Sequence, residues 1–213
     1  MNQTDTGHNS NDGDVAVLAT APYCITFTIR GIADLLFHRW SNEDVAAKAS
    51  AKRGSAIKKQ DNLEAYIWRD EAGMVCLPGS YLHKAIVEAG KFLQDPRSSR
   101  AKQACDLFKA AFVPVTALYP LGPTWEIEDK RRMVVNRSGI TRTSPGFKAG
   151  WEATFDFDVI LPEYVSQEMF HEALSLAGRV IGLAQYRPTY GRFQVVRFEK
   201  GDLGAKLADT KVA

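Results

Sequence analysis

Little in this sequence supports covalent cross-linking, resident metal or membrane insertion. Its 213 residues hold three cysteines, Cys24, Cys76 and Cys105, far apart and in no CxxC pair. So sparse and odd a set excludes a disulfide framework and a zinc site, and reads as buried thiols in a reducing compartment. No Lys or Arg precedes Arg30, so the charged opening of a secretory signal is missing. The longest uncharged run, Ala110–Trp125, is interrupted by Pro114, Pro120 and Pro123 and is too short to span a bilayer. A soluble, cytoplasmic protein with no membrane partner is expected. P-loop, HExxH, HxH, GxSxG and paired-carboxylate motifs are all missing. No cofactor and no metal site are therefore expected, and no residue is assigned a catalytic role.

What is present is ordinary globular material. Apolar residues make up 45% and charged residues 24%, so wholesale disorder is excluded. The length suits one domain with a full core or two small ones. Lys and Arg total 27 against 25 acids, a formal charge of +2, and a balance that mild makes the placement of charges the informative quantity.

Residues 1–22, polar through Asp14, read as a disordered tail, 23–200 as a single domain, and 201–213 as a frayed tail. Within the domain, Tyr23, Ile25, Phe27 and Ile29 alternate with Cys24, Thr26, Thr28 and Arg30, the period of a half-buried strand over 23–32. Ser41 starts a short Ala-rich helical turn, and Ala51–Asn62, basic and without an apolar face, reads as a mobile loop. Leu63–Trp68 and Met74–Leu77 read as a hairpin. Ser80 is placed as the N-cap of an amphipathic helix carrying Leu82, Ile86, Ala89 and Leu93. A second helix is expected over 99–111 and a strand over 112–119. Residues 125–147 read as irregular, with a short strand at Met133–Val135. Trp151–Ile160 alternates cleanly, Ser166 caps a helix bearing Phe170, Leu174, Ala177 and Ile181, and a loop over 182–191 leads to a last strand over 192–198. Without its insertions the order is strand, helix, strand, strand, helix, strand. This predicts an α+β, ferredoxin-like (RRM-like) antiparallel sheet backed by two helices.

Two insertions, 33–77 and 120–150, are long enough to suggest function, and both are rich in cations. The first carries Arg39, Lys48, Lys52, Arg53, Lys58 and Lys59. The second carries Lys130, Arg131, Arg132, Arg137, Arg142 and Lys148 with no acid after Asp129. The acids gather elsewhere, in the tail and at Glu152, Asp156 and Asp158. Cations clustered on loops are the footprint of a phosphate-backbone binder, although a solvated surface of uneven charge gives the same pattern. Aromatic residues interleave with them: Phe37 and Trp40 beside Arg39, Tyr66 and Trp68 beside Arg69, Phe147 and Trp151 around Lys148, Tyr186 and Tyr190 around Arg187. Exposed rings can stack on unpaired bases without reading sequence, whereas Phe37 and Trp151 read more readily as core. The loop Gly182–Phe193 brackets a turn carrying Arg187 and Arg192 between glycines, whose backbone tolerates positive φ and close approach to a phosphate. The candidate binding residues are Arg39, Lys52, Arg53, Lys58, Lys59, Lys130, Arg131, Arg132, Arg137, Arg142, Tyr186, Arg187, Tyr190 and Arg192.

Gly31–Phe37 closing the first strand, Leu77-Pro78-Gly79-Ser80 opening the first helix, and the loop Gly182–Phe193 together resemble the RAMP superfamily of CRISPR-associated proteins. The likeness is nearest to subunits that polymerise along a guide RNA. It spans about Tyr23–Phe198 in architecture. The resemblance implies an RNA-recognition-like palm, a finger-like first insertion, a thumb-like second one, and copies stacked helically with each holding a few nucleotides. The expected partners are single-stranded RNA or DNA, other copies of the chain, and other effector subunits. The loop is less glycine-rich than is usual in that superfamily, which leaves room for a stand-alone or phage-borne relative. Some of its backbone subunits cut RNA with an Asp after the first strand; Asp34 stands nearby among Leu35, Leu36 and Phe37, a setting that favours a turn or capping role. Trimming endonucleases of the superfamily use a His or Tyr base, which marks His38 for an alternative reading as an endoribonuclease that processes guide RNA. A phage single-strand DNA-binding or annealing protein is a further alternative. The leading expectation is a non-catalytic binder of single strands that oligomerises along them.

Overall fold

The computed structural model describes residues 21–52, 55, 61–135 and 138–202. In chain order the elements are β1 (Tyr23–Gly31), β2 (Leu35–Leu36), α1 (Asn42–Ser50), β3 (Trp68–Arg69), β4 (Val75–Pro78), α2 (Gly79–Ala89), α3 (Cys105–Ala111), β5 (Phe112–Pro114), β6 (Leu118–Gly122), β7 (Ile127–Val135), β8 (Ser138–Phe147), β9 (Glu152–Val159), α4 (Gln167–Leu176) and β10 (Phe193–Asp202). Single 3-10 turns cover Leu63–Tyr66 and Gly90–Phe92, and one π turn, Ala177–Ile181, extends α4.

The main sheet has the order β10-β1-β9-β5 with every neighbouring pair antiparallel. The alternation of β1 sends Tyr23, Ile25, Phe27 and Ile29 inward, and Phe155 and Phe157 of β9 lie beside them. The ring of Phe27 sits 5.8 Å from Phe155, 5.6 Å from Phe157 and 5.8 Å from Phe170 of α4. The apolar faces of α2 (Leu82, Ala85, Ile86, Ala89) and α4 (Phe170, Ala173, Leu174) complete the core. Rings of this size bury the most apolar area per residue and fix their neighbours at these spacings. Two smaller antiparallel sheets, β2-β8-β7 and β3-β4-β6, stand beside the main one. Ser41 and Ser166 cap α1 and α4, their hydroxyls accepting from the backbone N–H groups of Asp44 and Met169 at 3.2 Å.

Several local expectations are corrected. Ser80 is not the cap of α2, which begins at Gly79 after Pro78; the Gly79 N–H donates to the Ala117 carbonyl at 2.9 Å. That helix ends at Ala89, so Leu93 meets the core from the following turn. The hairpin near 63–77 is shorter than expected: Leu63–Tyr66 is a 3-10 turn, and only Trp68 and Arg69 pair with Cys76 and Val75. The second helix starts at Cys105 rather than 99. The expected strand over 112–119 is two strands in two sheets, because the chain turns at Val115–Ala117. The largest correction is the stretch 125–147, which is a long hairpin of β7 and β8 paired from Ile127–Gly146 to Val135–Ser138. None of the three cysteines forms a disulfide. Burial, and then the nearby Asp70 carboxylate, push the Cys76 thiol up to about 11.

Candidate nucleic-acid interface

The loop between α4 and β10 owes its shape to glycine and to a set of backbone ties. Gly182 and Gly191 have φ of 75° and 70°. The Leu183 N–H donates to the Gly191 carbonyl at 2.9 Å, closing the loop. The Gly191 and Gln185 N–H groups donate to the carbonyls of Asp34 (2.8 Å) and Leu36 (3.0 Å). A Cβ at Gly191 would land on the Leu183 carbonyl oxygen, so both conformation and space require glycine there. Ala184 and Tyr186 also sit at φ 57°, a conformation that costs a side-chain-bearing residue about 1–3 kcal/mol and persists only where its surroundings enforce it. Asp34 is one of the enforcing groups. Its carbonyl holds Gly191, and its carboxylate accepts from the Ala149 N–H at 2.8 Å, both ties to segments distant in sequence.

The β7–β8 hairpin leans on this loop through one arginine. Arg131 and Arg142 are directly paired across the hairpin and therefore share a face with Asp129, while Lys130 and Arg132 point to the other face with Thr143 and Thr141. The Arg131 guanidinium lies 4.7 Å from the ring centres of both Tyr186 and Tyr190. It also donates to the Tyr190 hydroxyl and forms an ion pair with Asp129. The two tyrosine rings meet edge-on at 6.3 Å. A planar cation between rings is held by their quadrupoles, worth about 0.5–2 kcal/mol by degree of exposure, and fixes the loop against the second insertion.

Beside this clamp is a cavity of about 320 Å³ lined by His38, Tyr81, Lys84, Ala184, Gln185 and Arg187. Tyr81 and Lys84 come from the outer side of α2, one turn apart, and Arg187 is tethered by an ion pair to Glu88 of the same helix at 3.2 Å. His38 stands edge-on to Tyr66 with ring centres 4.4 Å apart. Tyr66 donates to Asp61 at 2.8 Å, and the other Asp61 oxygen accepts from the Thr143 N–H at 2.7 Å. Burial, and then the nearby Arg142 guanidinium, hold His38 below its usual 6.5; Asp61 opposes the shift, and Lys48 adds to it. Of the cavity-lining side chains, His38 Nδ1 and Gln185 Oε1 are buried without a hydrogen-bond partner, and Arg39 Nε next to His38 in sequence is a third such atom. Arg39 lies 4.1 Å over the Trp68 ring, and the Trp68 indole N–H reaches toward the Tyr81 hydroxyl at 3.5 Å.

The structure therefore links Arg39, Arg131, Arg142, Tyr186, Arg187 and Tyr190 through direct contacts or shared neighbours. Lys130 and Arg132 are exposed on the far face of the hairpin, and Lys52 is exposed just after α1. Arg192 is exposed just before β10, its carbonyl accepting from Ile32 and Ala33. Arg53, Lys58, Lys59 and Arg137 lie outside the described residues. Phe37 and Trp151 are core residues, the indole N–H of Trp151 donating to the Ala33 carbonyl at 2.9 Å. Four cavity residues were missed from sequence: Tyr81, Lys84, Ala184 and Gln185. A signal for the first two existed, since Tyr81, Lys84 and Glu88 recur at helical spacing opposite Leu82 and Ile86. Gln185 carries none beyond its place in the loop. Among the described residues, no group of three or more His, Cys, Asp or Glu side chains could hold a metal ion, and no helix is long and apolar enough to cross a membrane.

Neither a protein-family model nor a curated protein matches the chain. Among solved structures, the fold is similar to that of a chain in "Cryo-EM structure of the Type III-B Cmr-beta bound to cognate target RNA", with a TM-score of 0.55 and 9% identity. The match covers 86% of this chain and 62% of that one, so this protein spans less than two thirds of the neighbour's length. At that identity the likeness is one of fold.

Proposed function

We propose that this protein binds single-stranded nucleic acid, RNA in preference to DNA, as a ferredoxin-like subunit that repeats along the strand in an RNA-guided assembly. The observation that carries this reading is the grouping of cations with aromatic rings around one cavity: Arg39 over Trp68, and Arg131, paired across its hairpin with Arg142, against Tyr186 and Tyr190. Cations there neutralise phosphates, and the rings offer π faces to unstacked bases. The strand order β10-β1-β9-β5 with two covering helices supports a ferredoxin-like core. The fold neighbour, whose structure includes cognate target RNA, supports the RNA-binding part of the reading. Lys52, Arg53, Lys58, Lys59, Lys130, Arg132, Arg137 and Arg192 extend the phosphate contacts beyond that surface.

Fluorescence anisotropy with matched RNA and DNA oligonucleotides, titrated with salt, tests the proposal. The logarithm of affinity should fall with the logarithm of salt by about 0.7 per phosphate contact. RNA should bind more tightly, because the 2′-hydroxyl supplies the discriminating contact. A flat salt response overturns the proposal. A second reading, endoribonuclease activity, is favoured by one observation: His38 Nδ1 is buried at the cavity without a partner, on a ring whose basicity is lowered. Under that reading His38→Ala abolishes cleavage of an RNA hairpin and leaves binding intact.

A further inference from the structure

The cavity beside the arginine–tyrosine clamp differs from the rest of the basic surface in being concave and incompletely hydrogen-bonded. Its 320 Å³ lies at the lower end of the range of about 300–1,000 Å³ typical of ligand pockets, which suits one nucleotide and no longer stretch of strand. Its polar groups fall into two sets. Lys84 and Arg187 are exposed cations, Arg187 steadied by Glu88, and they suit a phosphate at the mouth. Deeper, Gln185 Oε1 and His38 Nδ1 are buried without partners, and an unpaired buried polar atom is costly until something meets it. The strained Ala184 and Tyr186 flank Gln185 on both sides, and its backbone N–H is fixed to Leu36. Its carboxamide is thus presented by a loop whose shape is enforced from several directions.

We infer that this cavity receives one nucleotide turned out of the bound strand, its phosphate at Lys84 and Arg187 and its base edge at Gln185, so that a base preference is added to an otherwise sequence-tolerant surface. This rests on the nucleic-acid reading above. The unmet acceptor Gln185 Oε1 calls for an exocyclic amine. Adenine, cytosine and guanine each carry one, and adenine presents it on an edge that a carboxamide meets with a donor and an acceptor together; uracil has no amine. The occupant is therefore an amine-bearing base, with adenosine as the probe and uridine as the base excluded.

The test compares oligo-rA with oligo-rU of equal length, for the full chain and for Gln185→Leu, together with a titration of AMP and UMP followed by NMR or calorimetry. Oligo-rA should bind about tenfold more tightly than oligo-rU. Gln185→Leu should abolish that difference while leaving the salt slope unchanged, because no charge is removed. Lys84→Ala, at an exposed position, should weaken AMP binding and guards against misfolding in the loop variant. Equal affinity for the two oligomers, or a preference that survives Gln185→Leu, overturns the inference. If no oligomer binds at all, the functional reading fails, and the mononucleotides decide the cavity separately. Saturable AMP binding that is lost in Gln185→Leu upholds the nucleotide pocket, and absence of AMP binding removes it.

Discussion

The open face of the main sheet and the edge where the loop meets the hairpin are built from the same kind of polar side chains, yet they are prepared for different things. On the sheet face, polar groups answer one another across strands. Thr28 and Thr154 share a hydrogen bond at 2.8 Å, Thr26 donates to Asp156 at 2.6 Å, and Arg30 pairs with Glu152 at 2.5 Å. With Asp158 beside them and Arg197 paired to Glu199, the face mixes both signs of charge and carries no ring on β1 or β9. On the loop edge Arg131 lies against two tyrosines, the charge of Arg142 helps lower the basicity of His38, and the buried His38 Nδ1 and Gln185 Oε1 lack partners. An RNA-recognition sheet stacks bases on aromatic residues of its open face; here β1 and β9 carry no ring on that face, and Arg131, Tyr186 and Tyr190 meet at the edge. Under the proposed function the strand therefore lies at the edge, not on the open face that the order of strands alone would suggest.

The comparison breaks most easily at Arg131 and Arg142. Replacing both with Ala should lower affinity for single strands by roughly a hundredfold, at about 1–3 kcal/mol for each lost contact, and reduce the salt slope by about 1.4. Arg30→Ala and Arg197→Ala on the sheet should leave both quantities unchanged. Equal losses from the two pairs would erase the distinction between face and edge. Next in size is Gly191→Val, which forces a β-branched residue into φ 70° against Leu183. A stability loss of about 1–3 kcal/mol is expected, read by chemical denaturation. Strand affinity should fall with it, because Tyr186 and Tyr190 lose their placement. Smaller again is Tyr190→Phe, which keeps the ring under Arg131 and removes only the hydroxyl bond. Anisotropy should show a loss of about fivefold, corresponding to roughly 1 kcal/mol, with the salt slope intact.

How legible this was depends on the range over which each determinant acts. Period-2 alternation located β1 and β9, and helical spacing located α2 and α4, because each encodes which side chains meet the core. The β7–β8 hairpin was legible only at Met133–Val135, which fall within β7: Glu128-Asp129-Lys130-Arg131-Arg132 has no apolar alternation, so its pairing rests on the cross-strand register and on packing with β2 and the loop. Ser80 misled because a hydroxyl at a helix start looks like a cap, while the Ala117 carbonyl, distant in sequence, holds the Gly79 N–H. At the candidate site, Arg131, Tyr186 and Tyr190 were visible as residue types, but their joining spans more than fifty positions. Gln185 was invisible because a neutral side chain in a loop gains meaning only when the cavity around it is known.

The finest distinction between face and edge is a response to acid, and its sign follows from the histidines. Burial holds His38 and His83 below the usual 6.5 in the folded protein, so the unfolded chain binds protons more readily than the folded one. Stability is then full above about pH 6.5 and declines as the pH falls below that value, until the lowered folded-state values are passed. His38→Asn should flatten part of that decline, leaving the share due to His83, whose ring lies against Phe112 at 5.4 Å. Strand affinity should move the other way. A phosphate near the cavity favours the charged imidazole, so binding to the native protein should strengthen by a few-fold over the same interval, and His38→Asn should remove the gain. The sheet face carries carboxylates and no histidine on β1 or β9. Denaturation and anisotropy measured side by side at each pH should therefore show opposite slopes that share one residue. An affinity that falls with the stability would place the strand away from His38 and return the comparison to the two arginines alone.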